Sequence, residues 1–152
     1  MSENNIKESL YHKLTEDINN KIKALEQDIQ SLDESQNNET KSSAGDKYET
    51  GRAMIQQEQD KNQSQLSNAL ALKHTLEKLN LTKEYNKVEP GAIVLTNQGD
   101  YFLSIGSGKI DLNGALYYAI SQGSPIGQLL LNKKAGDTIN YMNKPFEIRM
   151  IY

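Results

Sequence analysis

The chain has 152 residues, 36 % of them hydrophobic, a formal net charge of −3 and no cysteine. Without cysteine there is no disulfide scaffold and no thiolate metal site, and the net acidity argues against a dedicated duplex-DNA binder, which carries a basic stripe. No apolar run approaches the roughly 18 residues of a membrane span, and the opening MSENNIKESL has no basic patch followed by an apolar stretch. The expected location is therefore the cytoplasm, and the Asn-x-Ser/Thr triplets at Asn38, Asn62 and Asn80 read as chance matches.

Two halves differ in composition. Before Pro90 there is no proline, and glycine is confined to Gly45 and Gly51. The boundary implied by this shift separates residues 1–82 from residues 83–152. In the first segment Leu10, Leu14, Ile18, Ile22, Leu25, Ile29 and Leu32 step by three or four residues, which holds them on one stripe of a helix. Residues 35–45, SQNNETKSSAG, break the pattern with turn formers. A weaker stripe then runs through Tyr48, Ile55, Leu66, Ala69, Leu72, Leu76 and Leu79. Folding the chain back near residue 43 brings Ile22 opposite Leu66 and Ile18 opposite Ala69, the mirrored register of an antiparallel two-helix coiled coil. Gln59 and Asn62 interrupt that stripe, so softness is expected near the middle of the hairpin. Some thirty residues per helix make an arm of about 45 Å. Taken by itself, such a pattern also describes a plain dimerising coiled coil.

Where the second helix starts, Asp46 and Glu49 stand three residues apart. Asp-x-x-Glu has the form of a capping box, and Ser43-x-x-Asp46 is a second one. Capping is the simpler reading of these residues alone. The same spacing also turns two carboxylates the same way on a helical turn. They are hard oxygen ligands suited to Mg²⁺, but a lone pair leaves most of the octahedron to water and needs a second site to complete it.

After Val88 the period changes to short apolar runs between turn signals. Residues 92–96, 101–105, 115–121, 138–142 and 146–152 read as five strands, expected to form a small antiparallel sheet. Between the third and fourth, Ser124 is the expected N-cap of a short helix, with Pro125 at its first position, Lys133-Lys134 in its last turn and Gly136 beyond its end. Gly106-Ser107-Gly108-Lys109 lacks the spacing of a phosphate-binding loop and reads as a glycine-rich turn. His12 and His74 have no partner at a recognisable spacing and read as solvated. Tyr117 and Tyr118, adjacent in a strand, must face opposite ways, one expected in the core and one at the surface.

The tip GDKYET, followed by Glu58 and Gln59, resembles the Gly-Asp-x-x-Glu-Asn tip and downstream helix of the bacterial transcript cleavage factors GreA and GreB. The later segments GKID (108–111), SPIG (124–127) and LLNKKAGD (130–137) resemble, in the same order, the Gly-Lys-Ile-Ser, Ser-Pro-Ile-Ala and Leu-Ile-Gly-Lys…Gly-Asp segments of that family's FKBP-like carboxy-terminal domain. The resemblance implies a two-domain α+β protein, a coiled-coil hairpin with an acidic tip followed by an FKBP-like domain that docks on RNA polymerase. It further implies that Asp46 and Glu49 enter the polymerase secondary channel and help hold a catalytic Mg²⁺ near the 3′ end of the nascent RNA. Gly123, Ser124 and Pro125 become candidates for polymerase docking, and the factor is expected to be monomeric and to lend ligands rather than act as an enzyme. Thr50, Gly51, Arg52 and Ala53 depart from the family's pattern. They leave the acid pair intact; the altered tip residues Tyr48 and Arg52 motivate a second reading, a channel-binding regulator that does not stimulate cleavage. A third is a coiled-coil adaptor with a peptide-binding sheet domain.

Overall fold

The computed structural model describes residues 3–40 and 45–152, with side chains at 5–35 and 51–152. The fold is α+β: two long helices, then a six-stranded sheet carrying one short helix. Contacts gather the chain into two compact units, one of Glu16–His74 and one that joins Met1–Thr15 to Thr75–Tyr152.

The first unit is a helical hairpin, drawn from α1 (Glu3–Thr40) and α2 (Gly45–Glu77). Its apolar cluster is Ile18, Ile22, Leu25 and Ala69, with Leu66 and Leu72 packed against them. These are residues that the mirrored register pairs, and their burial is the main force holding two otherwise polar helices together. Further along α1, Ile29 and Leu32 are only half-buried. Gln59 and Asn62, expected to interrupt the seam, instead lie in it, 8 % and 9 % exposed. Gln59 Nε2 donates to Asp33 Oδ1 across the hairpin. A long amide side chain can occupy a seam position when it finds an acceptor at the rim.

The second unit contains β1 (Ile93–Thr96), β2 (Gly99–Leu103), β3 (Gly108–Leu112), β4 (Ala115–Ile120), α3 (Pro125–Leu130), β5 (Thr138–Tyr141) and β6 (Lys144–Ile151). The spatial order is β3-β4-β2-β1-β6-β5. Five of these strands coincide with the expected runs. The sixth, β3, falls partly on the expected glycine-rich turn. It is an edge strand whose one buried residue is Ile110, so it presents almost no alternation to read. The sheet is mixed rather than antiparallel throughout, because β2 and β4 run parallel, Tyr101 opposite Tyr118 and Leu103 opposite Ile120.

Two hairpins are closed by two-residue turns in the left-handed region. Asn113 and Gly114 (φ 53° and 92°) join β3 to β4, and Met142 and Asn143 (φ 52° and 63°) join β5 to β6. Asn and Gly suit such a turn; methionine is the unusual member, and it is 77 % exposed.

Alternation along the strands builds the core. Val94, Tyr101, Leu103, Ile139, Phe146 and Ile148 share one cluster with Ile126 and Leu130 of α3. Their neighbours Ile93, Phe102, Ile110, Tyr117 and Ala119 are buried as well, so the middle of the sheet is covered on both faces. Tyr117 is thus core, while half-buried Tyr118 packs against Tyr101 with ring centroids 5.5 Å apart, and neither ring is simply a surface residue. Leu10, Leu14 and Leu76 are also buried in this unit.

Lys7, 2 % exposed, belongs here too. Its Nζ donates to the Lys83 carbonyl at 3.4 Å and stands 4.6 Å from the Tyr85 ring centroid and 5.9 Å from that of Tyr152. A hydrogen-bond acceptor and aromatic faces offset part of the cost of taking an ammonium out of water. The Tyr85 hydroxyl is shared between the carbonyls of Asn80 and Pro90 at 2.9 and 3.1 Å, and burial raises its pKa, with Lys83 opposing and Glu89 adding. The linker from α2 to β1 is therefore pinned at both ends of residues 80–90.

Asp100 on β2 has its carboxyl pKa raised by burial. The native state then holds a proton more tightly than the unfolded chain, so its ionisation opposes folding above the native pKa and the penalty fades as pH falls below the ordinary carboxylate value. Asp100→Asn is expected to stabilise the fold at neutral pH, with the gain shrinking in acid; urea denaturation at the two pH values checks the sign.

Candidate functional site

Helix α2 begins at Gly45, so Asp46 and Glu49 lie in its first turn by backbone, next to the segment that joins it to α1. Asp46 is thus inside the helix and not at the N-cap position expected of it, with Glu49 three residues further on; the side chains of both lie outside the described residues, as does Ser43. Two carboxylates three residues apart on a helical backbone fit Mg²⁺ as hard donors, in the role of partial ligands to an ion held mainly elsewhere. Among the described residues no group of three or more His, Asp or Glu is arranged to hold a metal. His12 and His74 are both exposed.

The second candidate segment leads into α3. Ser124 takes an extended conformation (φ −69°, ψ 157°), and its Oγ accepts from Gly127 N at 3.1 Å, as an N-cap does. The same hydroxyl donates to the Ser121 carbonyl at 2.7 Å, and Gln128 Nε2 donates to the Gly123 carbonyl at 3.2 Å. Pro125 occupies the first helical position, where its missing N–H goes unneeded. Gly123 and Pro125 are exposed and Ser124 is half-buried. The three residues form one solvent-facing turn whose geometry is set by capping. Ser124→Ala removes both hydroxyl bonds and should cost roughly 1–2 kcal/mol in a denaturation series.

Helix α3 is shorter than the capping signals suggest. It ends at Leu130, and Asn132 turns the chain through the left-handed region (φ 66°). Lys133-Lys134 therefore follows the helix instead of closing it. Asn132 N donates to Val88 O and Val88 N to Lys133 O, each at 2.8 Å, which ties the post-helix chain to the linker ahead of β1. That long-range pair competes successfully with another helical turn.

Gly127 is the least replaceable position of this segment. An added Cβ would stand 2.0 Å from Ser121 O, 2.8 Å from Ser124 Oγ and 3.1 Å from Gln122 Cα. The close passage of residues 121–122 over the helix leaves no room for a side chain there. Sequence reading had no means of finding this contact.

No helix among the described residues is long and apolar enough to cross a membrane. No family model and no curated protein matches the chain. Among solved structures, one described as the transcription factor Gfh1 is similar over 93 % of this chain and 92 % of that one, with 15 % identity and a TM-score of 0.33. That likeness is too loose to carry a fold or a function from one chain to the other.

Proposed function

We propose that this chain is an accessory factor of bacterial RNA polymerase of the Gre type, with the sheet unit as the docking module and the helical hairpin as the element that enters the secondary channel. The observation that carries this reading is the coincidence of the acid pair Asp46/Glu49 with the start of α2 at the turn of a helical hairpin, followed in order by the segments 108–111, 124–127 and 130–137 in a sheet unit. In this reading the carboxylates of Asp46 and Glu49 complete the ligand set of a Mg²⁺ site that polymerase aspartates supply in part. The ion, when bound, supplies activation of water and stabilisation of charge on the phosphodiester. The chain's own contribution is to deliver two oxygen donors on the helical backbone at the start of α2. Gly123, Ser124 and Pro125, held by the Ser124 cap, are the docking contacts in the same reading.

The test is the addition of the chain to halted, backtracked elongation complexes. Shortening of the nascent RNA from its 3′ end is the expected result. Polymerase binding with altered promoter initiation and no shortening would instead support the regulator without cleavage, which the altered tip residues Tyr48 and Arg52 motivate. Absence of affinity for core polymerase would overturn both.

A further inference from the structure

Strand β3 lies at one end of the sheet and, among the described residues, pairs on one side only, with β4. Its two-residue turn makes Leu112 and Ala115 a hydrogen-bonded pair, and the alternation of an antiparallel ladder then points the amides and carbonyls of Ile110 and Gly108 at β4 as well. Neighbouring bonds agree with that parity: Ala119 O accepts from Ser107 N on the β3 side at 3.3 Å, and Ile120 O accepts from Ser104 N on the β2 side at 2.7 Å. The N–H and C=O groups of Lys109 and Asp111 therefore point outward along the open edge. Both side chains are exposed and share one face, while Ile110 between them is buried on the other. Asp111 Oδ1 accepts from Gly114 N at 2.8 Å, which places the carboxylate beside the turn.

We propose that this edge pairs with the same edge of a second copy of the chain, β3 against β3, antiparallel about a two-fold axis at Ile110. Outward backbone groups must meet outward backbone groups, so the pairing can centre on Lys109, Ile110 or Asp111. Centred on Lys109 it sets lysine against lysine, and centred on Asp111 it sets acid against acid. Centred on Ile110 it sets Lys109 opposite Asp111 of the second copy, twice by symmetry, and each such pair exchanges both of its backbone hydrogen bonds. Opposite charges directly across an antiparallel pair stabilise it and like charges do not. A lone lysine guards an edge strand against its own copy. A lysine and an aspartate two residues apart do the reverse, because the axis brings each to the other. This departs from the monomer that the family resemblance implies, and it does not rest on the functional reading above.

With five residues a side the contact is small, so the dimer should be weak, with Kd on the order of 100 µM. Sedimentation of the full chain up to about 1 mM reads it. Lys109→Glu should raise Kd about tenfold or more, since two attractions become two repulsions. Asp111→Lys should do the same alone, yet an equimolar mixture of the two variants should associate again, because each then opposes unlike charges at both positions. Asp111→Asn keeps an acceptor for Gly114 N, so it should weaken the dimer with Tm unchanged, and it carries the test if Asp111→Lys does not fold. A chain that stays monomeric at about 1 mM overturns the proposal. So does a dimer that Lys109→Glu and Asp111→Asn leave as tight as before, which would place the contact elsewhere, or a mixture of folded variants that fails to associate.

Discussion

Asp46→Asn should abolish stimulated RNA cleavage, a loss of about 100-fold or more against the parent chain, while polymerase binding stays nearly unchanged. The substitution keeps size and shape and removes one negative charge. An amide oxygen remains able to coordinate, but it neither offsets the ion's charge nor competes with water as a carboxylate does. In a site completed by two proteins, loss of a charged donor is felt in the occupancy of the ion and hence in the cleavage rate. The check has two readouts on one preparation, release of 3′ RNA fragments from halted complexes and retention of the factor on core polymerase. Full cleavage by Asp46→Asn would remove the acid from its proposed role. Loss of binding along with cleavage would make Asp46 a docking residue instead. Glu49→Gln, changed separately, should behave in the same way as Asp46→Asn if the two act as one ligand set.

Gly127→Ala should lower stability by roughly 1–3 kcal/mol, the usual cost of forcing extra volume into a packed site. The direction is opposite to ordinary expectation, since alanine in place of glycine inside a helix usually gains up to about 1 kcal/mol. Here the added carbon would sit 2.0 Å from the carbonyl oxygen of Ser121, a backbone atom that cannot rotate away. Relief requires residues 121–122 to move off α3, which would stretch the bond from Ser124 Oγ to Ser121 O and disturb the cap. A drop in Tm of several degrees by thermal denaturation is expected for a chain of this size. An unchanged or raised Tm would show that the 121–122 passage is loose. Gly123→Ala, whose Cβ meets nothing within 4 Å, serves as the comparison at a nearby exposed position.

The helices were the most legible part of the chain because their information is local. Leu10 through Leu32 declare one face, and burial follows that stripe residue by residue until it fades at Ile29. Lys7 shows where such reading stops: it falls three residues before Leu10 on the same face, so position alone marks it as inward, but its chemistry argues for solvent. The acceptor and rings that house it come from Lys83, Tyr85 and Tyr152, far away in sequence. Non-local pairing also explains the errors in the sheet. The parallel match of β2 to β4, the edge strand β3 with a single buried residue, and the early end of α3 against Val88 all depend on partners that no window of sequence contains. At the candidate site, the residue types and their spacing at Asp46 and Glu49 were readable and the capping role of Ser124 was too. The clash that fixes Gly127 was not, since it is a property of how two backbone segments pass.

The joining of Met1–Thr15 to Thr75–Tyr152 in one compact unit has a consequence for biosynthesis. On the ribosome, Lys7 and Leu10 emerge before any strand of the sheet, and β6 emerges after all the others. The hairpin can zip up during translation from contacts within its own span, but the sheet must wait for its final strand, and the opening helical turns stay without their packing surface throughout that wait. Any aggregation during synthesis should therefore begin from those first turns.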